Sequence, residues 1–222
     1  ADFEAKMAAV RAISGATGKE FKALTDNAKA LGASTVHTAS AVAGLQTEFA
    51  KLGFTSKQIT AVTKDTLALA SATGSDLATS AAVAGQTLRA FGLGVEETSR
   101  VTDTMAKSFS ASALDMDKFS NSMTYVAPIA KQVGLSIEST TGMLGTLANA
   151  GISGSMAGTS LRKILLELGN ESSKLGKRIG FPVKSADDLQ KAFKQLNKEG
   201  LTTAEMEDLV GTRAISAFNI LI

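Results

Sequence analysis

The chain has 222 residues, of which 44% are hydrophobic and 20% charged, a balance that argues against disorder and is enough to bury one large core or two small ones. Its net charge of +2, with both signs mixed along the length, is too small to imply nucleic acid or an acidic membrane as the main partner. The absence of cysteine removes any disulfide framework or thiolate site.

The apolar residues are mostly Ala, Leu, Val and Ile, and the only prolines are Pro128 and Pro182. Such a composition favours helix, because Ala loses no side-chain entropy there whereas Pro clashes and lacks a donor. In chain order, Thr17-x-x-Glu20 has the spacing of a capping box, and "LGAST" (31–35) ends the run that follows it. Val42, Leu45, Phe49 and Leu52 form a helical stripe that stops at "LGFTSKQI" (52–59), where Thr55-x-x-Gln58 opens the next helix. After "ATGSDL" (72–77), Leu77, Ala81, Ala84, Leu88 and Phe91 make another stripe, closed by "FGLGVEE" (91–97). Phe119, Met123, Val126, Ala130 and Val133 form a third, which stops at "VGLSIES" (133–139).

"AGISGS" (150–155) is the next stop, and Leu161, Ile164, Leu165 and Leu168 follow as a fourth stripe. "RIGFPVK" (178–184) is the one place where a short extended segment fits, since Pro182 biases Phe181 away from helix. Thr202-x-x-Glu205 has the spacing of a last capping box. The recurring phrase is an apolar run, a glycine that relieves a left-handed helix end, an apolar residue and a small polar cap. Its anchors Gly32, Gly53, Gly74, Gly94 and Gly134 fall near 20- or 40-residue intervals. The pattern predicts an all-α, compact multi-helix array of about ten short antiparallel helices with Gly-capped turns. Solenoid repeats of the TPR or HEAT kind are the alternative architecture. Residues 1–170 are expected to form a helical core, and residues 171–222 a smaller, more polar helical extension packed on it. The chain starts without Met and ends on an apolar run, and both ends look cut from a longer polypeptide.

The inventory for chemistry is thin. His37 is the only histidine, and an exposed loop residue fits it better than a general base paired with a nearby hydroxyl. Asp115 and Asp117 match the first positions of a calcium loop, but Ser120 and Val126 stand where Gly and Glu are needed, so Asp115 reads as a helix cap. Acidic residues at 205–208 suit the first turn of a helix. The lysines at 174, 177, 184, 191, 194 and 198, with Arg178, read as a solvated face diluted by Glu171, Asp187 and Asp188.

"ANAGISGSMAGTSLRK" (148–163) invites comparison with a phosphate loop, but Thr159 stands where the loop's Lys belongs, and the preceding residues read as helix rather than strand. What remains is a helix stop at Gly151 and a new helix starting near Ser153 or Ser155. Gly154 and Gly158, spaced as small-xxx-small, would let another helix approach closely. The charge-free run between Glu138 and Arg162 holds five glycines and eight Ser or Thr residues, which argues against a spanning helix.

Taken together, "LTDNAKALGAST…TASAVAG" (24–44), "FAKLGFTSKQI" (49–59), "LALASATGSDLATSA" (67–81) and "RAFGLGVEETSRVTD" (89–103) resemble the core region of the phage tail tape measure protein family. So do "YVAPIAKQVGLSIESTTGMLGTLANAGISGSMAGTSLRKIL" (125–165) and "LVGTRAISAFNIL" (209–221). The match is collinear, and its most specific phrases are Tyr125-Val-Ala-Pro128 and the stretch that follows it. Pro128, Gly134, Gly151, Gly154, Gly158, Thr159, Leu161 and Arg162 form a structural packing motif with no catalytic, metal or cofactor residue. The sequence departs from the family at Ala41, where an acid is usual, and is more polar after Leu168.

The resemblance implies a non-enzymatic structural protein of a phage or phage-like tail, without cofactor, that acts in tail assembly, length determination and DNA ejection. It implies residence in the virion tail lumen, and in the host cytoplasm during assembly. The implied partners are the tail tube protein, tail-tip or baseplate hub proteins, tail assembly chaperones and further copies of the chain, with transient proximity to DNA. A membrane-active helical protein that enters the host bilayer through the 139–161 run is the alternative.

Overall fold

In a computed structural model describing residues 1–222, thirteen α-helices and a single 3-10 turn (Val95–Glu97) make up all the regular structure, with no strand. The helices are α1 (Asp2–Ser14), α2 (Gly18–Ser34), α3 (Ala39–Lys51), α4 (Ser56–Thr73), α5 (Leu77–Phe91), α6 (Thr98–Ala111) and α7 (Met116–Gln132). There follow α8 (Ile137–Asn149), α9 (Gly154–Gly169), α10 (Lys174–Ile179), α11 (Ala186–Glu199), α12 (Thr203–Val210) and α13 (Ile215–Leu221). The fold is all-α. The excess over ten helices comes from α10, α12 and α13, which have six, eight and seven residues, too few to show a helical period in sequence.

Helix starts follow a common chemistry. Thr38, Thr55, Asp76, Asp115, Ser136, Ser173, Ser185 and Thr202 each accept a hydrogen bond from the backbone N–H three residues on, which satisfies one of the donors that a helix start leaves free. Thr55 with Gln58 and Thr202 with Glu205 form complete capping boxes. Thr17 does not: it sits at the cap position of α2, but its hydroxyl makes no cap bond.

Although α2, α6 and α9 end without one, most helix stops are glycines in the left-handed region, as at Gly53 (φ 76°) and Gly134 (φ 72°). There the apolar residue after the glycine, Phe54 or Leu135, donates its N–H back to Phe49 or Ala130 and turns its side chain into the core. Two of the anchoring glycines act differently. Gly32 lies inside α2, where a Cβ would stand 2.5 Å from the Ala39 nitrogen, so it permits a close approach rather than a stop. Gly94 has a negative φ, and the left-handed turn after α5 is made by Gly92 instead.

The chain divides into two compact units, Ala1–Ala106 and Lys107–Ile222, with the division inside α6. The change in polarity near residue 170 lies within the second unit, whose later helices α10, α12 and α13 pack on α9. In the first unit α3 is the hub, touching α1, α2, α4 and α5. Val42, Leu45 and Phe49 are buried there, and Phe49 meets Phe54 edge to face at 5.3 Å. In the second unit the principal pairing is α7 with α9. Phe119, Val126, Ala130, Leu161, Ile164, Leu165 and Leu168 close that seam and are all buried.

Residues 181–184 form no strand. They make an irregular strap in which Val183 donates its N–H to Leu168 at 3.2 Å and the Lys184 carbonyl rests against Gly134. Gly134 therefore answers two demands, a left-handed turn and a neighbouring backbone that leaves no space for a Cβ.

Candidate functional site

The few groups suited to catalysis are placed for structure. His37 Nε2 lies 2.9 Å from the Ser71 hydroxyl, the arrangement that a base and nucleophile would share. Yet Ser71 already donates its proton to the Leu67 carbonyl at 3.0 Å, so the histidine acts as donor and cannot draw that proton. No group of three or more His, Asp or Glu residues is arranged to hold a metal ion. Asp115 caps α7 by accepting from the Lys118 N–H at 2.8 Å. Two cations of the basic face of the C-terminal third are paired with its own acids: Arg178 with Glu199 at 2.7 Å and Glu205 at 3.3 Å, and Lys174 with Asp208. The Arg178 guanidinium holds the Glu199 carboxyl below its ordinary range, and the Thr202 N–H and hydroxyl do the same to Glu205.

The signature stretch resolves into distinct duties. Gly151 (φ 85°) ends α8, with the following Ile152 donating its N–H to the Leu147 carbonyl. Gly154 and Gly158, read from spacing as one close-contact face, do not share that role. Gly154 has a left-handed φ of 58°, and a Cβ there would stand 3.9 Å from the Asn121 Cβ, an ordinary distance. Its carbonyl accepts from the Ser122 hydroxyl at 2.8 Å. Gly158 is the close contact: a Cβ would stand 2.8 Å from the Ser122 Cα and 3.0 Å from its carbonyl carbon. Only a glycine lets α9 lie this close to the backbone of α7. Because Val133 lies against Gly169 as Ser122 does against Gly158, the two helices run side by side in the same sense.

Pro128 is exposed in α7, and the carbonyl that its missing N–H leaves without a helical donor belongs to Thr124, which is also exposed, so the break lies away from the seam. Leu161 is fully buried, whereas Thr159 and Arg162 are exposed, and the Thr159 hydroxyl is turned back to the Ser155 carbonyl at 2.7 Å. The charge-free run is thus two helices, α8 and α9, separated by a turn, and no helix of the chain is long and apolar enough to cross a membrane.

Two phrases far apart in sequence meet in space. Met156, Thr159, Ser160 and Lys163 of α9 face Val210, Gly211, Thr212, Arg213 and Ala214 of the α12–α13 turn across an open groove of about 810 Å³. The Ser160 hydroxyl crosses to the Arg213 carbonyl at 3.4 Å. Sequence reasoning treated "GTSLRK" and "LVGTRA" as separate phrases, since nothing in either announces the other.

A second relation also escaped it. Gly158-Thr159-Ser160-Leu161-Arg162 has a counterpart, Gly85-Gln86-Thr87-Leu88-Arg89, in the first unit. Gly85 lies against Phe49 of α3 and Leu52 just past its end, as Gly158 lies against Ser122 of α7. The triplets α3–α4–α5 and α7–α8–α9 share the motif, the left-handed glycine turns and the capping Thr55 or Ser136.

The profile of the family described as phage-related minor tail protein matches residues 25–212. The tape measure protein of Pneumococcus phage Dp-1 is 35% identical over 196 residues, which cover 88% of this chain and 16% of that protein. The probable tape measure protein of Escherichia phage P2 is 32% identical over an alignment of 240 residues, which covers the whole chain and 29% of that protein. The chain therefore spans less than a third of either relative. No solved structure shows significant similarity to it. Relatives and family profile agree, and the chain belongs to the phage-related minor tail protein family, with tape measure proteins among its relatives.

Proposed function

We propose that this chain is a folded module of a tape measure protein, a structural component of a phage or phage-like tail, and that length is measured by other parts of the same polypeptide. The observation that carries this reading is similarity to tape measure proteins in a chain whose helices, none longer than 18 residues, are broken by turns, most of them at a left-handed glycine. A ruler works by extent. As one continuous helix 222 residues would reach about 330 Å, whereas α4, the longest helix at 18 residues, reaches about 27 Å. Each turn folds the chain back and spends length on packing.

In this reading the whole protein acts in tail assembly, length determination and DNA ejection. It resides in the tail lumen after assembly in the host cytoplasm. The module contacts the tail tube, a tip or baseplate hub protein, an assembly chaperone or further copies of itself. The membrane-entry alternative gains nothing from the structure, because most of the large apolar residues of α8 and α9, among them Leu144, Leu147, Leu161, Ile164, Leu165 and Leu168, are already buried within the second unit.

The test is to delete residues 20–150 from the full-length protein and measure the tails. A helical ruler would lose about 200 Å with those 131 residues. The proposal expects tails that do not shorten in that proportion, and strictly proportional shortening would overturn it.

A further inference from the structure

We propose that the groove between α9 and the α12–α13 turn docks an acidic, amphipathic helical segment of another protein. This rests on the reading of the chain as a folded module and names the chemistry of one partner for it.

The apolar part of the groove lining is Met156, Val210 and Ala214, of which Met156 presents most of the open surface. Met156 is 64% exposed, the most exposed large hydrophobic residue of the second unit, and its flexible thioether side chain can adapt to varied apolar partners. The walls carry two cations, Lys163 and Arg213, and no carboxylate. Lys163 shares its charge with Glu167 on its own helix, while Arg213 enters no ion pair. Arg162, exposed on the same helix, enters none either. An occupant therefore meets apolar surface beside one unpaired cation, Arg213, since Glu167 holds Lys163 and the Glu207 carboxylate accepts from Thr212. Charge complementarity calls for a carboxylate opposite Arg213 beside an apolar seam.

The hydroxyls do not favour a small polar ligand. Thr159 donates to Ser155, Thr212 to Glu207 and Ser160 to Arg213, so each is already engaged within the chain. A volume of about 810 Å³ open to solvent takes two or three anchoring side chains rather than a whole helix. That is how an amphipathic helix binds a groove, with anchors at i, i+3 or i+4 and i+7.

The experiment is titration of this chain with two labelled 18-residue helical peptides, followed by fluorescence anisotropy. Both carry the same leucine seam, one flanked by Glu and the other by Lys. The Glu peptide is expected to bind at least tenfold tighter than the Lys peptide and to weaken with added salt. Arg213→Glu should reverse that preference, and Met156→Asp should weaken both peptides by tenfold or more. Both side chains are exposed, so each variant should keep the parent's cooperative helical melt, which checks the folded module separately from its groove. Equal binding of the two peptides, no binding of either, or a preference unchanged in Arg213→Glu would overturn the proposal. So would a dimer of the chain, seen by light scattering, that Met156→Asp dissociates, since a second copy would then be the occupant.

Discussion

In the first unit the G-x-[ST]-L-R motif closes on itself, whereas in the second it reaches outward. The Thr87 hydroxyl donates to the Val83 carbonyl in its own helix at 2.7 Å, and the Arg89 guanidinium stacks over the Phe54 ring at 4.9 Å. The residues in the same motif positions of the second unit are Ser160, which crosses to Arg213, and Arg162, which is left in solvent because Leu135 offers no ring where Phe54 does. The close approaches also differ in kind. A Cβ on Gly85 would meet the Leu52 Cδ1 at 2.6 Å, the movable end of a side chain, while one on Gly158 would meet the backbone of Ser122 first. A helix-turn scaffold with the same punctuation is thus self-contained in one unit and, in the other, the base for a groove.

That difference should be measurable. Gly158→Ala should cost about 2 kcal/mol or more in urea denaturation, because the backbones of α7 and α9 must separate. Gly85→Ala should fall within about 1 kcal/mol of the parent, because Leu52 can turn aside and Ala gains helix propensity. Equal costs would break the comparison.

The turns, which the units share, should respond alike. Thr55→Ala and Ser136→Ala remove matched caps and should each cost about 1 kcal/mol in the same assay. A smaller contrast lies in the arginines: Arg89→Ala should cost about 0.5–1 kcal/mol through the lost ring contact, and Arg162→Ala less than about 0.5 kcal/mol.

The least effect is expected from pH. Asp76 in the first unit is held below the ordinary carboxylate range by the Thr79 hydroxyl and N–H, and Asp188, Glu199 and Glu205 in the second are lowered by their own partners. A group whose folded pKa is depressed stabilises fully above its unfolded value, near pH 4, and loses that contribution as pH falls through the folded value. Melting followed by circular dichroism should show stability flat from neutral pH down to about pH 5 and falling below about pH 4. Glu205→Gln should flatten part of that fall.

Much of the fold was legible because its signals are local. The stripes on α5, α7 and α9, the capping boxes at Thr55 and Thr202, and the stops at Gly53, Gly74, Gly134 and Gly151 depend on residues within a few positions of one another. Thr17 shows where local spacing misleads: the box pattern is present, but the hydroxyl does not bond. Gly32 and Gly154 show that a glycine alone does not say whether it serves a turn or a contact, since the partner that decides is elsewhere in the chain. The groove was not legible for the same reason, as it joins residues 156–163 to 210–214 through packing of α12 and α13 on α9. The repeated motif was written in the sequence, but five residues with two small members stand out only once both copies are seen against a neighbouring helix.

The central claim, that the chain acts while folded rather than straightened, can be tested inside the tail itself. Asn121 and Gly154 place their Cβ positions 3.9 Å apart, within the span of a disulfide, and the chain has no cysteine of its own. If the segment were drawn out as continuous helix, the same residues would lie about 50 Å apart. The measurement is disulfide formation in the Asn121→Cys, Gly154→Cys double variant of the full-length protein, in assembled tails under mild oxidation. The account predicts a cross-link in the tails as complete as in the isolated chain. A cross-link that forms in the isolated chain but not in assembled tails would contradict it.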